Sequence, residues 1–346
     1  MSDFSIIMAY MDKGNTFRRR NLFTVLDRCI KLFPDTEIVI AEQGESGIST
    51  KISYWHKNVK RIQVDDGETF HKTKLLNAAV SASSSDAVVM VDADCFLGDG
   101  CRRTLGEAAD VLREGKYGIV FPYDSVDYLY EPFTRDIIAG KCVNSSMCDH
   151  GEPIFRQTGL CVAFLKSTWE AVGGFDEAFY EWGAEDDAFQ FKVRRKVGKE
   201  TRLHGHVYHL YHPSVSTISY RASTRYKKNR KMCACIRRMS DADFESYVSG
   251  QVSMQEMLEK YEKMGRLSTE MVWEYVPGHR LRIDTTLYDL ENGPDMSFTR
   301  LMDAVRAADG DEGLIFFVND VLAGLYGVTE SQQEEINRYV ESIEGK

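Results

Sequence analysis

The sequence predicts an α/β fold in which a mostly parallel, Rossmann-like sheet carries flanking helices and is followed by a helical C-terminal extension. Short apolar runs alternate with segments of helical periodicity from Phe4 to Val91, and this order favours parallel strands joined by right-handed crossovers. The run Val88–Val91 is apolar throughout, which is typical of a strand covered by helices on both faces. Asp92 and Asp94 follow it directly, at the end of a parallel sheet where ligands bind.

The elements before this central strand can be assigned in order. The first is an apolar strand, FSIIMAY, and the segment after it carries apolar residues at helical spacing. A second strand, EIVIA, ends just before Glu42, and three serines end the helix that precedes the central strand. The predicted elements are strands at residues 4–10, 37–41 and 59–64 and helices at 18–33 and 71–82.

The elements after the two aspartates continue the alternation up to a histidine-rich segment, residues 204–212. One helix begins with three acids from Glu185 onward, and the helix dipole favours acids at that end. The segment 126–138 is predicted to be helical throughout. The other predicted elements are helices at 102–114, 167–172 and 185–197 and strands at 117–121 and 159–165.

A change in charge divides the chain near residue 215. Residues 1–215 form the predicted α/β domain. Residues 216–240 form a predicted basic connecting helix, with eight Arg or Lys residues and no acid between positions 221 and 238. Residues 241–346 are acidic and helical in pattern, and they form the predicted C-terminal extension.

The composition is that of a globular protein, with 346 residues of which 43% are hydrophobic and 28% charged. No apolar run approaches the length of a membrane span and no signal peptide is visible, so a cytoplasmic protein without a membrane partner is expected. The eight cysteines lack the usual spacing of a zinc site and are expected to be free thiols. The net charge of −10 argues against nonspecific attraction of the whole molecule to nucleic acid.

The paired acids Asp92 and Asp94 are the first candidates for chemistry. Two carboxylates one residue apart repel each other unless a cation lies between them. Mg²⁺ or Mn²⁺ suits such oxygen ligands and also binds substrate phosphates. The alternative is that both residues only begin a loop, because Asp is a common turn residue.

Several motifs follow one another in a defined order along residues 3–215. They are Glu42-Gln43, FHKTKLLN at 70–77, Asp92-Ala-Asp94, GGFD at 173–176, WGAEDD at 182–187, and His209 with His212. Together they resemble the GT-A nucleotide-sugar glycosyltransferases, and they are most similar to the β-1,4-galactosyltransferase and chondroitin-polymerase type catalytic domains, which overlap the family-2 enzymes. The resemblance implies a GT-A fold and transfer of a sugar from a nucleoside diphosphate sugar, with UDP expected, to a glycan hydroxyl.

The resemblance further implies a divalent ion, Mn²⁺ or Mg²⁺, that neutralises the leaving diphosphate. Its implied ligands are Asp94, His212 and His209. Galactosyltransferases have a methionine at the position of His209, and this difference would change the preferred metal. The family's opening Pro-Phe-Arg is replaced by Ala9-Tyr10-Met11, which leaves the donor sugar open. The residues implied to bind the donor are Tyr10, Asp12, Glu42, Lys72, Lys74 and Asp92.

Asp186 matches the catalytic base of the family, whose carboxylate accepts the proton of the attacking hydroxyl. Glu185 is the second implied catalytic residue and would bind the acceptor or the donor sugar. Trp182 would form a wall for a sugar ring, since an aromatic face suits the C–H side of a pyranose, and Asp187 would also contact the acceptor. The implied reaction inverts the anomeric carbon in one displacement.

Three alternatives remain open at this point. The basic run at residues 221–238 is either a solvated helix face or a surface for a nucleic acid acceptor, as in phage enzymes that glycosylate hydroxymethylated DNA bases. The second alternative is a nucleotidyltransferase, which would also use an Asp pair and a metal. Such an enzyme usually has a glycine-rich phosphate loop after the first strand, whereas Gly14 is the single glycine among residues 10–17. The third alternative is a non-catalytic sugar-nucleotide-binding protein.

Overall fold

The structure is a computed structural model of the chain. It describes residues 3–11, 14–44, 57–141, 158–213, 224–264 and 267, and the backbone alone of residues 154–155, 273–274 and 282–283. The predicted donor-binding residue Asp12 lies outside the described residues. The same holds for Arg221 in the basic run and for most of the predicted C-terminal extension.

Eleven described strands between residues 5 and 209 form two sheets. The strands are β1 Ser5–Tyr10, β2 Ile38–Gln43, β3 Val59–Val64, β4 Ala87–Val91, β5 Cys95–Leu97, β6 Ile119–Phe121, β7 Ser125–Tyr128, β8 Ile154–Phe155, β9 Cys161–Leu165, β10 Glu200–Arg202 and β11 His206–His209. The larger sheet has seven strands in the order β10-β6-β9-β4-β1-β2-β3, and the smaller has the order β5-β11-β7-β8. Two further short strands, β12 Trp273–Glu274 and β13 Arg282–Ile283, pair with each other.

Helices flank the sheets, and the first begins where the sequence allows a cap. Asn15 accepts hydrogen bonds from the backbone N–H groups of Phe17 and Arg18, which satisfies two donors that a helix start leaves unpaired. The helices are α1 Thr16–Leu32, α2 Lys72–Ala82, α3 Cys101–Arg113, α4 Glu131–Ile138, α5 Lys166–Ala171, α6 Glu185–Lys196, α7 Thr224–Arg238, α8 Asp241–Val248 and α9 Met254–Lys263.

The central strand β4 lies in the middle of the larger sheet, and all five of its residues are buried. It pairs in parallel with β1, which pairs in parallel with β2, whereas β9 on its other side is antiparallel. Full burial of a valine side chain stabilises a fold by about 1.5–3 kcal/mol, so the run Val88–Val91 contributes strongly to this core. The predicted α/β fold with a mostly parallel sheet and flanking helices is confirmed.

The prediction that residues 126–138 are helical throughout is wrong in its first part. Ser125–Tyr128 forms strand β7, and the helix α4 begins only at Glu131, with a proline in its first turn. The strand pairs in parallel with β11, in which Val207 lies opposite Val126. The partner strand is about eighty positions away in the sequence, so local periodicity does not reveal this pairing.

The chain divides into two compact units. The first comprises Met1–Ser214 and Met239–Ser253, and the second comprises Val215–Arg238 and Met254–Lys346. The first unit contains both large sheets and also α8, which lies within the segment that the sequence analysis assigned to the extension. No helix of the described chain combines the length and apolar character that a membrane crossing requires.

The basic run forms α7 in the second unit, and part of it serves that unit's own packing. Arg225 and Lys228 are exposed, but Arg230 is buried together with Tyr226. Lys231 forms an ion pair with Glu262 of α9. The surface available to a polyanion is therefore smaller than the sequence of the run indicates.

Candidate active site

Polar residues lie where the parallel strands β1, β2 and β4 end, at one edge of the larger sheet. Tyr10 pairs with Glu42 in register, and Asp92 follows β4. Tyr10 and Glu42 are both buried, and Glu42 accepts a hydrogen bond from Arg61. The side chain of Asp92 is 23% exposed, so it is the most accessible of these three predicted donor-binding residues.

Asp94, His209 and His212 form a cluster beside this edge. The Asp94 carboxylate lies 3.1 Å from Nε2 of His212 and 3.8 Å from Nε2 of His209. One ligand atom from each of the three lies within 4.8 Å of the other two. Strand β11 fixes this geometry, because His209 pairs with Cys95 of β5 and the backbone N–H of Leu210 donates to the Asp94 carbonyl oxygen at 2.8 Å.

The residue types of this cluster suit a divalent cation, and the pKa values of Asp94 and His212 depend on one another. Burial would raise the pKa of Asp94, but His209, His212 and Arg18 hold it well below its ordinary value, so the carboxylate is ionised. Burial would lower the pKa of His212, and the hydrogen bond to Asp94 raises it instead. A carboxylate with two imidazoles is a ligand set that Mn²⁺ and its neighbours among the divalent metals accept. Arg18 had no role in the sequence analysis, because the side chain meets the cluster only through the fold.

A second cluster surrounds the buried ammonium group of Lys72, which lies in the first turn of α2. The Lys72 Nζ lies 3.3 Å from Asp92, 3.4 Å from Glu185 and 3.2 Å from Asp186. Asp92 adjoins the first cluster, since only Ala93 separates it from Asp94. The two clusters therefore meet at the carboxyl end of β4.

The two acids of α6 in this second cluster differ in exposure. The Glu185 side chain is 2% exposed and accepts a hydrogen bond from the backbone N–H of Gly183 at 2.7 Å, whereas the Asp186 side chain is 20% exposed. Burial, which outweighs Lys72, raises the pKa of Asp92 and of Asp186. Burial and the charge of Asp186 raise the pKa of Glu185 to about 7. Asp186 is thus the acid that a substrate can reach, and Glu185 is an interior group.

The remaining residues of the WGAEDD motif have contrasting surroundings. Trp182 is 51% exposed, as an acceptor-binding residue would be. Asp187 is buried, and it accepts a hydrogen bond from the hydroxyl of Thr158 at 3.0 Å. The predicted contact of Asp187 with an acceptor therefore has no support from its surroundings, which are those of an interior hydrogen-bond acceptor.

The start of α2 also holds the loop that leads to Trp182. The imidazole of His71 contacts Asp66 through Nδ1 and the Glu177 carbonyl oxygen through Nε2, and its ring stacks on Tyr180 at 3.9 Å. Lys74, a predicted donor-binding residue, forms an ion pair with Asp66 at 2.6 Å, and Asp66 is not one of the acids of the second cluster. His71 was not singled out from the sequence, because two of its partners, Glu177 and Tyr180, lie in a distant segment.

The raised pKa of Glu185 predicts a pH-dependent change in stability. Because folded Glu185 keeps its proton up to about pH 7 and the unfolded residue releases it near 4.5, its stabilising contribution is complete below pH 4.5 and is lost as the pH rises through 7. We compare the unfolding free energy of Glu185→Gln with that of wild type, both without added metal. As the pH is raised from 4 to 8, we expect this difference to shift by about 1–3 kcal/mol in favour of the variant, because only wild type loses the contribution of Glu185. Urea unfolding at both pH values measures this gain. A difference between variant and wild type that is the same at both would contradict the assignment.

The segment that carries these motifs matches a known family. Residues 144–213 match the family described as the N-terminal domain of galactosyltransferase (Glyco_transf_7C). The matched segment includes Trp182, Glu185, Asp186, His209 and His212. This match confirms the predicted resemblance to the GT-A nucleotide-sugar glycosyltransferases. No curated protein matches the chain as a whole or in part.

Three solved structures show a distant likeness to the chain. The mannosyltransferase PcManGT from Pyrobaculum calidifontis in complex with GDP-Man and Mn²⁺ has 16% identity and a TM-score of 0.48, over 99% of this chain and 86% of its own. GalNAc-T7 with UDP, GalNAc and Mn²⁺ has 14% identity and a TM-score of 0.48, over 75% of this chain and 54% of its own. S. aureus TarS 1–349 has 16% identity and a TM-score of 0.44, over 98% of this chain and 90% of its own. These likenesses are too distant to bear on function.

Proposed function

We propose that this protein is an inverting glycosyltransferase that moves a sugar from a nucleoside diphosphate sugar, with UDP as the nucleotide, to a hydroxyl group of a glycan. The observation that supports this proposal best is the meeting of two clusters at the end of β4. One cluster, of Asp94, His209 and His212, suits a divalent cation. The other combines Asp92, Lys72 and the accessible carboxylate of Asp186.

The first cluster would serve the departing diphosphate. Asp94, His209 and His212 would hold Mn²⁺ or Mg²⁺, and a metal bound there would neutralise the negative charge that develops on the leaving group. The charge of Arg18, which acts on Asp94 and His212, adds to the positive potential beside these ligands. Asp92 would contact the ribose or the ion from its position at the strand end.

The second cluster would activate the acceptor. Asp186 would accept the proton of the attacking hydroxyl. Burial raises the pKa of Asp186, and the charge of the adjacent Lys72 opposes this effect, so Lys72 favours the ionised carboxylate that a base needs. Lys72 contacts three carboxylates, so it also limits their mutual repulsion. The exposed ring of Trp182 lies three residues before Glu185 and offers a face for the acceptor sugar.

The proposal can be tested with purified protein, Mn²⁺ and a panel of nucleotide sugars, each supplied with mixed oligosaccharides as acceptors. We expect the protein to release free UDP from one or a few of the UDP-linked sugars in this panel. Hydroxymethylated DNA in place of the oligosaccharides tests the alternative acceptor.

The products separate the competing functions. A nucleotidyltransferase would release pyrophosphate from a nucleoside triphosphate and no diphosphate from the sugar donors. A sugar-nucleotide-binding protein would be stabilised thermally by a donor and release nothing. Either result would contradict the proposed transfer.

A further inference from the structure

The segment before β9 contacts three of the acids discussed above. Thr158 donates its hydroxyl to Asp187, and Leu160 accepts the backbone N–H of Asp92 at 2.8 Å through its carbonyl oxygen. Between them, Gly159 packs directly against the carboxylate of Asp186. The apolar pattern predicts a strand that includes residues 159 and 160, whereas β9 begins only at Cys161.

The backbone of this segment is held in an unusual conformation. Gly159 has φ +86° and Leu160 has φ +58°, so two consecutive residues are in the left-handed region. A leucine rarely adopts that region, and it persists only where the surrounding structure fixes it. Two hydrogen bonds fix it here: the Gly159 carbonyl oxygen accepts the hydroxyl of the fully buried Tyr123 at 2.8 Å and the N–H of Cys161 at 2.7 Å.

Gly159 leaves no room for a side chain. A Cβ atom at this position would overlap Oδ2 of Asp186 and lie 3.2 Å from its Cγ. The carboxylate of Asp186 therefore occupies the space that any other residue at position 159 would fill. A side chain at position 159 would therefore displace this carboxylate.

We propose that the Thr158–Leu160 turn is a positioning element that sets the place of the Asp186 carboxylate relative to Asp92. Its three residues act through the acids that they contact, and none of them needs to touch a substrate. The proposal rests on the proposed function, since it assigns the turn a role in the transfer that Asp186 would assist. A displacement of about 1 Å in a catalytic group can lower a rate by about 10²-fold.

The test compares two glycine variants at positions that both have positive φ. Gly159→Ala introduces a Cβ against Asp186, whereas Gly115→Ala introduces one at φ +71° with no heavy atom within 4 Å. The rate is the kcat for nucleoside diphosphate release from the nucleotide sugar that wild-type protein cleaves fastest with Mn²⁺. We expect Gly159→Ala to lower kcat by about 10²-fold or more, with the donor KM and the calorimetric affinity for UDP and Mn²⁺ within threefold of wild type, and Gly115→Ala to keep the wild-type kcat. Equal kcat values for the two variants would overturn the proposal.

A second pair of variants tests the positioning role of the turn if Gly159→Ala does not fold. Thr158→Val removes the hydroxyl that binds Asp187 and keeps the shape of the side chain, and Thr158→Ser keeps the hydroxyl. We expect Thr158→Val to lower kcat about tenfold without a change in UDP affinity, and Thr158→Ser to recover at least half of the wild-type rate. Equal rates for the two Thr158 variants would count against the proposal.

A crystal structure separates failure of this proposal from failure of the proposed function. If wild-type protein cleaves no nucleotide sugar, the proposed function fails, and the position of Asp186 in Gly159→Ala crystals still tests the turn. We expect the Asp186 carboxylate to move by about 1 Å or more in that variant and to stay in place in Gly115→Ala. An unmoved carboxylate in Gly159→Ala would overturn the positioning role.

Discussion

Replacement of Asp186 by asparagine is expected to lower the rate of sugar transfer by about 10²–10⁴-fold, which is the range typical of general base catalysis. Asparagine keeps the shape of the side chain but cannot accept the proton of the attacking hydroxyl. Lys72 would keep its contacts with Asp92 and Glu185, so the cluster should hold together. Donor binding should stay within a few-fold of wild type, because the proposed donor contacts lie elsewhere.

The measurement is steady-state release of the nucleoside diphosphate, together with calorimetry of UDP binding in the presence of Mn²⁺. A fall in kcat at constant UDP affinity identifies a group that acts in the transition state. Glu177→Gln is a suitable control, because Glu177 is an acid of the preceding loop that hydrogen-bonds Asn77 and lies outside both clusters. A rate for Asp186→Asn within threefold of that control would remove Asp186 as the base.

The second large effect concerns the proposed metal ligands. Asp94→Ala is expected to abolish the dependence of UDP binding on Mn²⁺, because the carboxylate is the anionic member of the cluster. Loss of a residue that only supports a metal ligand typically costs about 10–100-fold in metal affinity, so loss of the ligand itself should cost at least as much. His212→Ala should weaken Mn²⁺ binding in the same direction.

Two neighbouring residues provide matched controls for these variants. Asp99 lies five residues after Asp94 with a side chain that is 98% exposed, and His204 precedes the two proposed ligand histidines with a side chain that is 93% exposed. Asp99→Ala and His204→Ala should keep the wild-type affinity for Mn²⁺ and UDP. Calorimetric titration of each variant with Mn²⁺, and then with UDP, makes the comparison. Unchanged Mn²⁺-dependent UDP binding in Asp94→Ala would rule out the ligand assignment.

The residues of both clusters could be predicted from the sequence, because a functional motif is recognised by its residue types and their order. Asp94 is more than a hundred residues away from His209 and His212 along the chain, and no periodicity links it to them. The resemblance to a family's motifs assigned all three residues to one site. In the structure, one ligand atom of each lies within 4.8 Å of the ligand atoms of the other two. That they bind a metal remains the proposal, with Asp94→Ala as its test.

Contacts between distant segments are what the sequence could not supply. Residues 126–128 were predicted to be helical, because the partner of this strand is the distant β11. Residues 159 and 160 were predicted to be strand, because two left-handed residues leave no pattern in an apolar segment. Arg18 and His71 act on residues that only the fold brings near them.

Some motif residues have a different environment from the one that the resemblance implied. Lys74 is paired with Asp66, and Asp187 is buried against Thr158. A family motif specifies which residue types occur, but it does not specify which of two adjacent acids faces the solvent. That choice depends on which face of α6 is buried, and the structure buries Asp187 with Glu185 and leaves Asp186 more exposed.

Electron paramagnetic resonance of Mn²⁺ bound to the protein, with and without UDP, tests the proposed metal site most directly. We expect hyperfine coupling to imidazole nitrogen from His209 or His212 in the Mn²⁺ complex, and additional coupling to phosphorus when UDP is added, so that one ion contacts both protein and diphosphate. A bound ion that shows no nitrogen coupling, or one that shows no phosphorus coupling in the presence of UDP, would contradict it.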